Sequence, residues 1–345
     1  MSETILVTGG AGFIGSNFVH RWHRNHPDDH LLVLDKLTYA ADPTQIADLE
    51  RVELVKGDIQ NRELVVHLLD RHRVRKLVHF AAESHVDNSI TGPGAFIQTN
   101  MVGTFALLDA AREVWAGDKA ARFLHVSTDE VYGSLGDTGK FHEAMAYAPN
   151  SPYSASKAGS DNLVRAYHHT YGLPTLTTNC SNNYGPRQHP EKLIPLAIAR
   201  MAKNEPIPVY GDGQNVRDWL YVEDHCAAIE TVIAKGTPGE TYCIGGDSNL
   251  RNIEIIKILC AHLDKLAPSN LPHESRIAFV ADRPGHDFRY SIDASKLMAE
   301  LGWSPKTPLA EGLEDTVRWY VENRDWWQGI RDRGFHSERL GLATA

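Results

Sequence analysis

Short, almost wholly apolar runs at 5–7, 31–34, 52–55, 76–80 and 123–126 alternate with longer stretches of helical period at 14–25, 62–71 and 96–114. Runs without a polar face predict strands buried on both sides, and their alternation with helices is the pattern of βαβ units in a parallel sheet. A further helix is expected over 154–171, stopped by Gly172 and Pro174, and a sixth strand over 175–178. Beyond about residue 180, glycine and proline punctuate the chain closely and the apolar runs shorten, so a second, smaller and loopier domain is expected there. Its clearest helices are expected at 253–266, 294–301 and 309–323.

Length agrees with this division, since 345 residues is about two domains' worth and 42% apolar content can fill a large core. A net charge of −9 provides no bulk positive field, so nucleic acid is not an expected partner. No apolar run reaches the roughly 18 residues of a membrane span, and the N-terminus lacks a signal-peptide pattern. A cytoplasmic protein with no membrane partner is therefore expected. Cys180, Cys226, Cys243 and Cys260 form no C-x-x-C pair, which predicts reduced, mostly buried thiols.

Immediately after the first strand comes Thr8-Gly9-Gly10-Ala11-Gly12-Phe13-Ile14-Gly15, a G-x-G-x-x-G held between strand and helix. Glycines there permit a tight turn and close approach of backbone to a pyrophosphate, which the N–H groups of the helix start receive. Asp35 ends the second strand 20 residues after Gly15, where a carboxylate accepts both ribose hydroxyls and repels a 2′-phosphate. This favours NAD over NADP, although Lys36 beside it weakens the exclusion. The expected fold class is α/β: a Rossmann-type doubly wound parallel sheet with a smaller C-terminal α/β substrate-binding domain. The NAD-binding domain is expected over 1–178, rejoined by parts of 213–237, and the substrate-binding domain mainly over 179–345.

The Gly9-x-x-Gly12-x-x-Gly15 spacing is similar to that of the extended short-chain dehydrogenase/reductase family. That resemblance assigns Asp58 and Ile59 to adenine and the backbone of Ala81 and Ala82 to the passing cofactor. It adds Phe13, Ile14, Lys36, Thr38, Ser84, Thr99, Ser127 and Asn183 to the cofactor-binding set.

Tyr153 and Lys157 form Y-x-x-x-K, a spacing that puts both on one helix face. A phenol with an ordinary pKa of about 10 needs a shift of about 3 units to serve as a base near pH 7, and an ammonium one turn away helps supply it. Lys157 is also expected to bond the nicotinamide ribose, and Thr128 to bind the reacting hydroxyl. Ser127-Thr128-Asp129-Glu130-Val131-Tyr132-Gly133 adds two adjacent carboxylates that a simple oxidoreductase does not need. Once an alcohol is oxidised to a ketone the neighbouring C–H is acidic, and a base plus an acid then removes water. Asp129 must be protonated and Glu130 ionised, so their environments must push their pKa values apart. Adjacent strand residues point to opposite faces, so both acids reach one sugar only if the pleat ends here.

At this point S-T-D-E-V-Y-G, S-P-Y-S-A-S-K-A, T-N-C-S-N-N-Y-G-P, P-E-K-L-I-P, R-D-W-L-Y-V-E-D-H and R-P-G-H-D together resemble the dTDP-glucose 4,6-dehydratase family nearly end to end. The resemblance implies a hydro-lyase (EC 4.2.1.46). It makes Tyr153 the C4 base during hydride transfer to NAD, Glu130 the acceptor of the C5 proton and Asp129 the donor to the C6 hydroxyl. The hydride returns to C6, so the product is dTDP-4-keto-6-deoxyglucose with no net redox. It further places Arg217 and Asn182 at the diphosphate, Asn252 and Lys192 on the nucleotide side, Tyr210 stacked on the base and His286 in a lid. Ser84, His85, Thr128, Leu193 and Pro208 complete the substrate set. Helices 96–114 and 154–171 are expected to pair across a two-fold axis as the four-helix bundle of a homodimer.

Departures from the family pattern occur at Ala41-Asp42-Pro43 and at Arg187-Gln188-His189, the latter expected to reshape the nucleotide pocket or its entrance. His20, His23, His26 and His30 fall at near-helical intervals, but no carboxylate or cysteine completes a ligand set, so no metal is expected. UDP-glucose 4,6-dehydration remains an open alternative. A nucleotide-sugar 4-epimerase would leave Asp129 and Glu130 unemployed, and a non-catalytic NAD sensor would be expected to have lost one of Thr128, Tyr153 and Lys157.

Overall fold

Strands β1 (Thr4–Thr8), β2 (His30–Asp35), β3 (Val52–Lys56), β4 (Lys76–His79), β5 (Arg122–Thr128) and β6 (Thr175–Cys180) form where the apolar runs predict them. They are followed by β7 (Asn182–Tyr184), β8 (Ile207–Tyr210), β9 (Val216–Tyr221), β10 (Thr241–Ile244), β11 (Asn249–Arg251) and β12 (Ile277–Val280). The structure, a computed structural model, describes residues 2–282 and 286–332. Its main sheet is all parallel, in the order β10-β6-β5-β4-β1-β2-β3. Smaller sheets β11-β9-β7 and β12-β8 lie beyond it.

The helices are α1 (Phe13–Asn25), α2 (Arg62–Arg71), α3 (Val86–Thr91), α4 (Pro93–Phe96), α5 (Thr104–Val114), α6 (Pro152–Tyr171), α7 (Leu193–Ala202), α8 (Val222–Lys235), α9 (Asn252–Leu266), α10 (Ser295–Leu301), α11 (Leu309–Glu322) and α12 (Arg324–Asp332). Alternation along β1 sends Ile5 and Val7 to one face, against Phe18 and Trp22 of α1 and Ile229 and Val232 of α8. It sends Leu6 to the other, into a core with Leu68 of α2, Leu107 of α5 and Val164 of α6. Each such buried side chain contributes about 1.5–3 kcal/mol of transfer free energy. A separate core joins α7, α9, α11 and α12 through Ile198, Ile256, Leu313 and Trp327.

The sheet is doubly wound, and strand order reverses between β1 and β4, which leaves a crevice over their carboxyl ends. The chain reaches the second unit after β6 and comes back in α8, packed on α1, and in β10, paired with β6.

Two expected elements differ in detail. The single helix over 96–114 is α4, a π-helical stretch Ile97–Gly103, and α5. α6 starts at Pro152, before the expected 154, because Ser151 and Ser154 form a capping box and proline suits the first helical position. The strands of the small sheets, three to six residues long, are too short for their periodicity to register in the sequence. Arg283-Pro284-Gly285 of the expected lid, and residues 333–345, lie outside the described residues.

Candidate active site

The crevice is a cleft of about 320 Å³. Every residue of the expected cofactor set lines it: Gly9, Gly12, Phe13, Ile14, Gly15, Asp35, Lys36, Thr38, Asp58, Ile59, Ala81, Ala82, Ser84, Thr99, Ser127, Tyr153, Lys157 and Asn183. Thr128, Asp129 and Glu130 line it too.

The glycine turn fits a dinucleotide. Gly9 sits at φ 71°, and a Cβ on Gly15 would lie 2.2 Å from the Gly9 carbonyl oxygen, so α1 closes onto the turn only with glycine there. Gly12 caps α1 without a side-chain bond and no acid occupies the first turn, which leaves the leading N–H groups to an anion. The buried Asp35 carboxylate is held by the N–H groups of Ala11 (3.0 Å) and Leu37 (2.8 Å). Burial raises its pKa and those two bonds oppose the rise. Lys36, the residue that weakened the case against a 2′-phosphate, puts its Nζ 2.8 Å from Asp58 Oδ2 and so carries its own counter-charge.

β5 ends at Thr128, and Asp129–Tyr132 is a 3₁₀ turn closed by Gly133 at φ 88°. Three residues per turn set neighbouring side chains about 120° apart instead of on opposite faces, so both acids line one cleft. Thr128 Oγ1 accepts from the Glu130 N–H and donates to Asp129 Oδ1, each at 3.3 Å. Asp129 is only 2% exposed. Burial, then the charges of Glu130 and Asp218, push its pKa far above the carboxylate range, against a smaller pull from Arg217. These surroundings favour the protonated over the ionised carboxyl of Asp129.

The capping box fixes Tyr153 in the first turn of α6, and Lys157 follows one turn later. Lys157 Nζ donates to the Val126 carbonyl at 2.9 Å, and burial lowers its pKa to about 8. Tyr153 differs from expectation: burial, then the Glu130 charge, drive its pKa up, although Thr128 hydrogen-bonds it in the lowering sense. A desolvated phenol beside carboxylates ionises only when positive charge is added nearby.

Asn100 carries no sequence signal. Seated in the π-helical turn, its side chain brackets the backbone of Glu83 (2.9 and 3.0 Å) and donates to Ser156 Oγ at 2.8 Å, fixing the loop after β4 against α6. Glu83, Cys180, Gln188, His189 and Glu191 also line the cleft; Cys180 and Glu191 lie in motifs the sequence showed but were given no role there, Gln188 and His189 belong to the departure from the family pattern, and Glu83 carried no signal. Arg187 of that departure points elsewhere: it is not among the lining residues and donates to Asn17 of α1 at 3.2 Å. Asp42 accepts from the Thr44 N–H and from Trp326 Nε1, pinning the Ala41-Asp42-Pro43 loop to α12.

Of the expected substrate set, Ser84, Thr128, Asn182 and Lys192 line the cleft, whereas His85, Leu193, Pro208, Tyr210, Arg217, Asn252 and His286 lie outside this lining. Lys192 donates to the Ser84 carbonyl at 3.0 Å. Tyr210 donates to Asp87 Oδ2 at 3.1 Å and meets the His286 ring edge-on. Arg217 lies over the Tyr290 ring and donates to the Asp287, Phe288 and Val216 carbonyls. Asn182 and Asn252 each keep a buried amide atom without a hydrogen-bond partner, which suits side chains that receive a ligand. Among the described residues no group of three or more His, Cys, Asp or Glu side chains is placed to hold a metal.

A family model described as GDP-mannose 4,6 dehydratase matches residues 6–316. The dTDP-glucose 4,6-dehydratase of Xanthomonas campestris pv. campestris (strain B100) is 58% identical to the chain, with 99% of each covered. The crystal structure of a Streptomyces venezuelae dTDP-glucose 4,6-dehydratase with NAD bound is 49% identical, with 95% of this chain and 99% of that one covered, at a TM-score of 0.87. A UDP-glucose 4-epimerase from Thermotoga maritima superposes nearly as well, at a TM-score of 0.84 over 93% of this chain and 99% of that one, but is 28% identical. Backbone shape does not separate the two chemistries, so sequence identity must. On identity over the whole chain, this chain belongs to the dTDP-glucose 4,6-dehydratase family.

Proposed function

We propose that the chain dehydrates dTDP-glucose to dTDP-4-keto-6-deoxyglucose with a retained NAD. The observation that carries this reading is the 3₁₀ turn that brings Asp129, favoured in its protonated form, and its neighbour Glu130 into the cleft beside Thr128, Tyr153 and Lys157. An epimerase needs no such pair. NAD, when bound, supplies the hydride acceptor and donor and a positive charge beside Tyr153. The glycine turn, Asp35 and the loop after β4 would hold it, with Asp58 and Ile59 on the adenine side.

Thr128 orients the C4 hydroxyl and Tyr153 takes its proton. Glu130 then removes the C5 proton that the C4 ketone has made acidic, and Asp129 protonates the departing C6 hydroxyl. Each proton transfer by a positioned group contributes about 10²–10⁴ in rate. Arg217, Asn182, Lys192 and Asn252 receive the nucleotide diphosphate, with Tyr210 on the base. The Arg217 bonds to strap carbonyls would then be exchanged for bonds to charged oxygens, which are stronger.

The test is turnover of dTDP-glucose deuterated at C4, with no reductant added. Deuterium at C6 of a 4-keto product is expected; deuterium lost to solvent or retained at C4 overturns the scheme. UDP-glucose in parallel decides the nucleotide.

We infer further that the protein is a cytoplasmic homodimer. Ile97, Val102 and Phe105 are exposed large apolar side chains on the helical run that flanks α6, which suits a four-helix bundle with a second copy. Phe105→Glu should halve the mass seen by sedimentation. Four buried, unpaired cysteines suit a reducing compartment, and among the described residues no helix is long and apolar enough to cross a membrane. Cell fractionation tests the compartment.

A further inference from the structure

Behind the Tyr153–Lys157 face of α6 lies a buried polar cluster to which the mechanism above gives no role. Asp161, one turn beyond Lys157 and 4% exposed, has its Oδ1 3.1 Å from His125 Nε2. Its Oδ2 accepts from Tyr147 Oη (2.9 Å) and Asn179 Nδ2 (3.0 Å). Asn179 in turn donates to the Thr128 carbonyl and accepts from Tyr132 Oη. A carboxylate this deep is costly unless it has a purpose or a partner.

We propose that Asp161 is a positioning residue whose negative charge keeps the buried Lys157 ammonium protonated and aimed at the end of β5. The geometry is an i, i+4 pair on the buried face of one helix, with His125 Nε2 lying 3.1 Å from Asp161 Oδ1 and 3.5 Å from Lys157 Nζ; on a neutral ring that one nitrogen serves one of the two, so it does not replace the Asp161 charge. The groups that face Lys157 are Tyr153 and Asp161 on α6, His125 on β5, His79 on β4 and Cys180 on β6. Burial drives His79 and His125 to the neutral form, the latter to about 4, and raises the Cys180 thiol. Asp161 is therefore the ionised group among them. Burial by itself would raise its pKa, but the His125 hydrogen bond and the charges around it hold it low. Burial lowers the pKa of Lys157, and Asp161 is the largest influence in the other direction.

The inference rests on the dehydratase reading only for its kinetic readout. In Asp161→Asn, Lys157 should lose its proton at lower pH, moving the alkaline limb of kcat down by about one unit. Tyr147→Phe removes a hydrogen bond to the same carboxylate but not its charge, so its limb should stay in place even if Tm falls. Unchanged limbs in both variants, or equal shifts in both, overturn the proposal.

A thermal-stability cycle of Asp161→Asn, Lys157→Met and the double variant needs no substrate. Removing both charges should cost less than the sum of the single losses, and the double variant should fold even if Asp161→Asn does not. Additive losses, or a double variant as unstable as that sum, overturn the proposal and leave the dehydratase reading intact. Absence of any 4-keto product from the wild type would overturn that reading, while the coupling between Asp161 and Lys157 measured by the cycle would still decide the proposal.

Discussion

The cleft wall built by the main sheet and the second wall that the following unit sets beside the cleft, outside its lining, hold their side chains by different means. On the first, chemistry comes from strand ends and helix starts: the glycine turn after β1, Asp35 after β2, Thr128 to Glu130 after β5, and Tyr153 in a capped first turn. Turn and capping geometry sets these positions, and contacts within the main-sheet unit, Asp35 with the Ala11 N–H and Lys157 with the Val126 carbonyl, fix the side chains. On the second, Arg217 is placed by carbonyls some seventy residues away and Tyr210 by Asp87, across the two units. The first wall is therefore complete within one unit, while the second depends on distant segments being docked together.

Substitutions on the two walls should separate these regimes. The largest effect is expected on the first: Glu130→Gln or Asp129→Asn should lower dehydration by about 10²–10⁴ while C4 oxidation survives, detectable as reduced nicotinamide absorbance on the enzyme without release of a 6-deoxy product. Loss of oxidation as well would mean the turn had collapsed. Gly15→Ala comes next, since the new Cβ meets the Gly9 carbonyl; retained NAD after gel filtration should fall below half.

On the second wall, Arg217→Lys is expected to raise KM about tenfold with kcat little changed, because a lysine cannot grip two oxygens in parallel. A drop in kcat of the same size would instead tie Arg217 to the acidic turn, whose Asp129 it influences.

The smallest effect is on stability. The folded pKa of Asp129 lies above its unfolded value, so the folded state holds the extra proton and loses stability as pH rises past about 4. Asp129→Asn should accordingly raise Tm by a few degrees at pH 7–8 and by nothing near pH 4, scanned calorimetrically. A gain equal at both values would show that packing, not ionisation, is responsible.

The first wall was also the more legible one. Apolar runs announced β1 to β5, although β3 at the sheet edge is partly exposed and not buried on both faces as expected, and the stop at Gly172 and Pro174 announced β6; Gly9 to Gly15, Asp35, Thr128 to Glu130, Tyr153 and Lys157 stood in contiguous motifs. β7 to β12 escaped because three to six residues among prolines and glycines carry too little periodicity. Asn100 escaped because a π-helical turn inside an ordinary helical pattern has no composition of its own. Arg187 looked like a pocket residue by sequence distance from the P-E-K motif, yet its backbone at φ 69° turns it toward α1.

What the chain determined unaided was the strands β1 to β6, the longer helices and the residues proposed to do the chemistry, because period, capping and glycine freedom act over a few residues. Tertiary structure decided their ionisation. Desolvation and charges from other elements raise the pKa of Asp129 and of Tyr153 and lower that of Lys157. Such terms depend on which distant residues close over a group, and no window of sequence contains them.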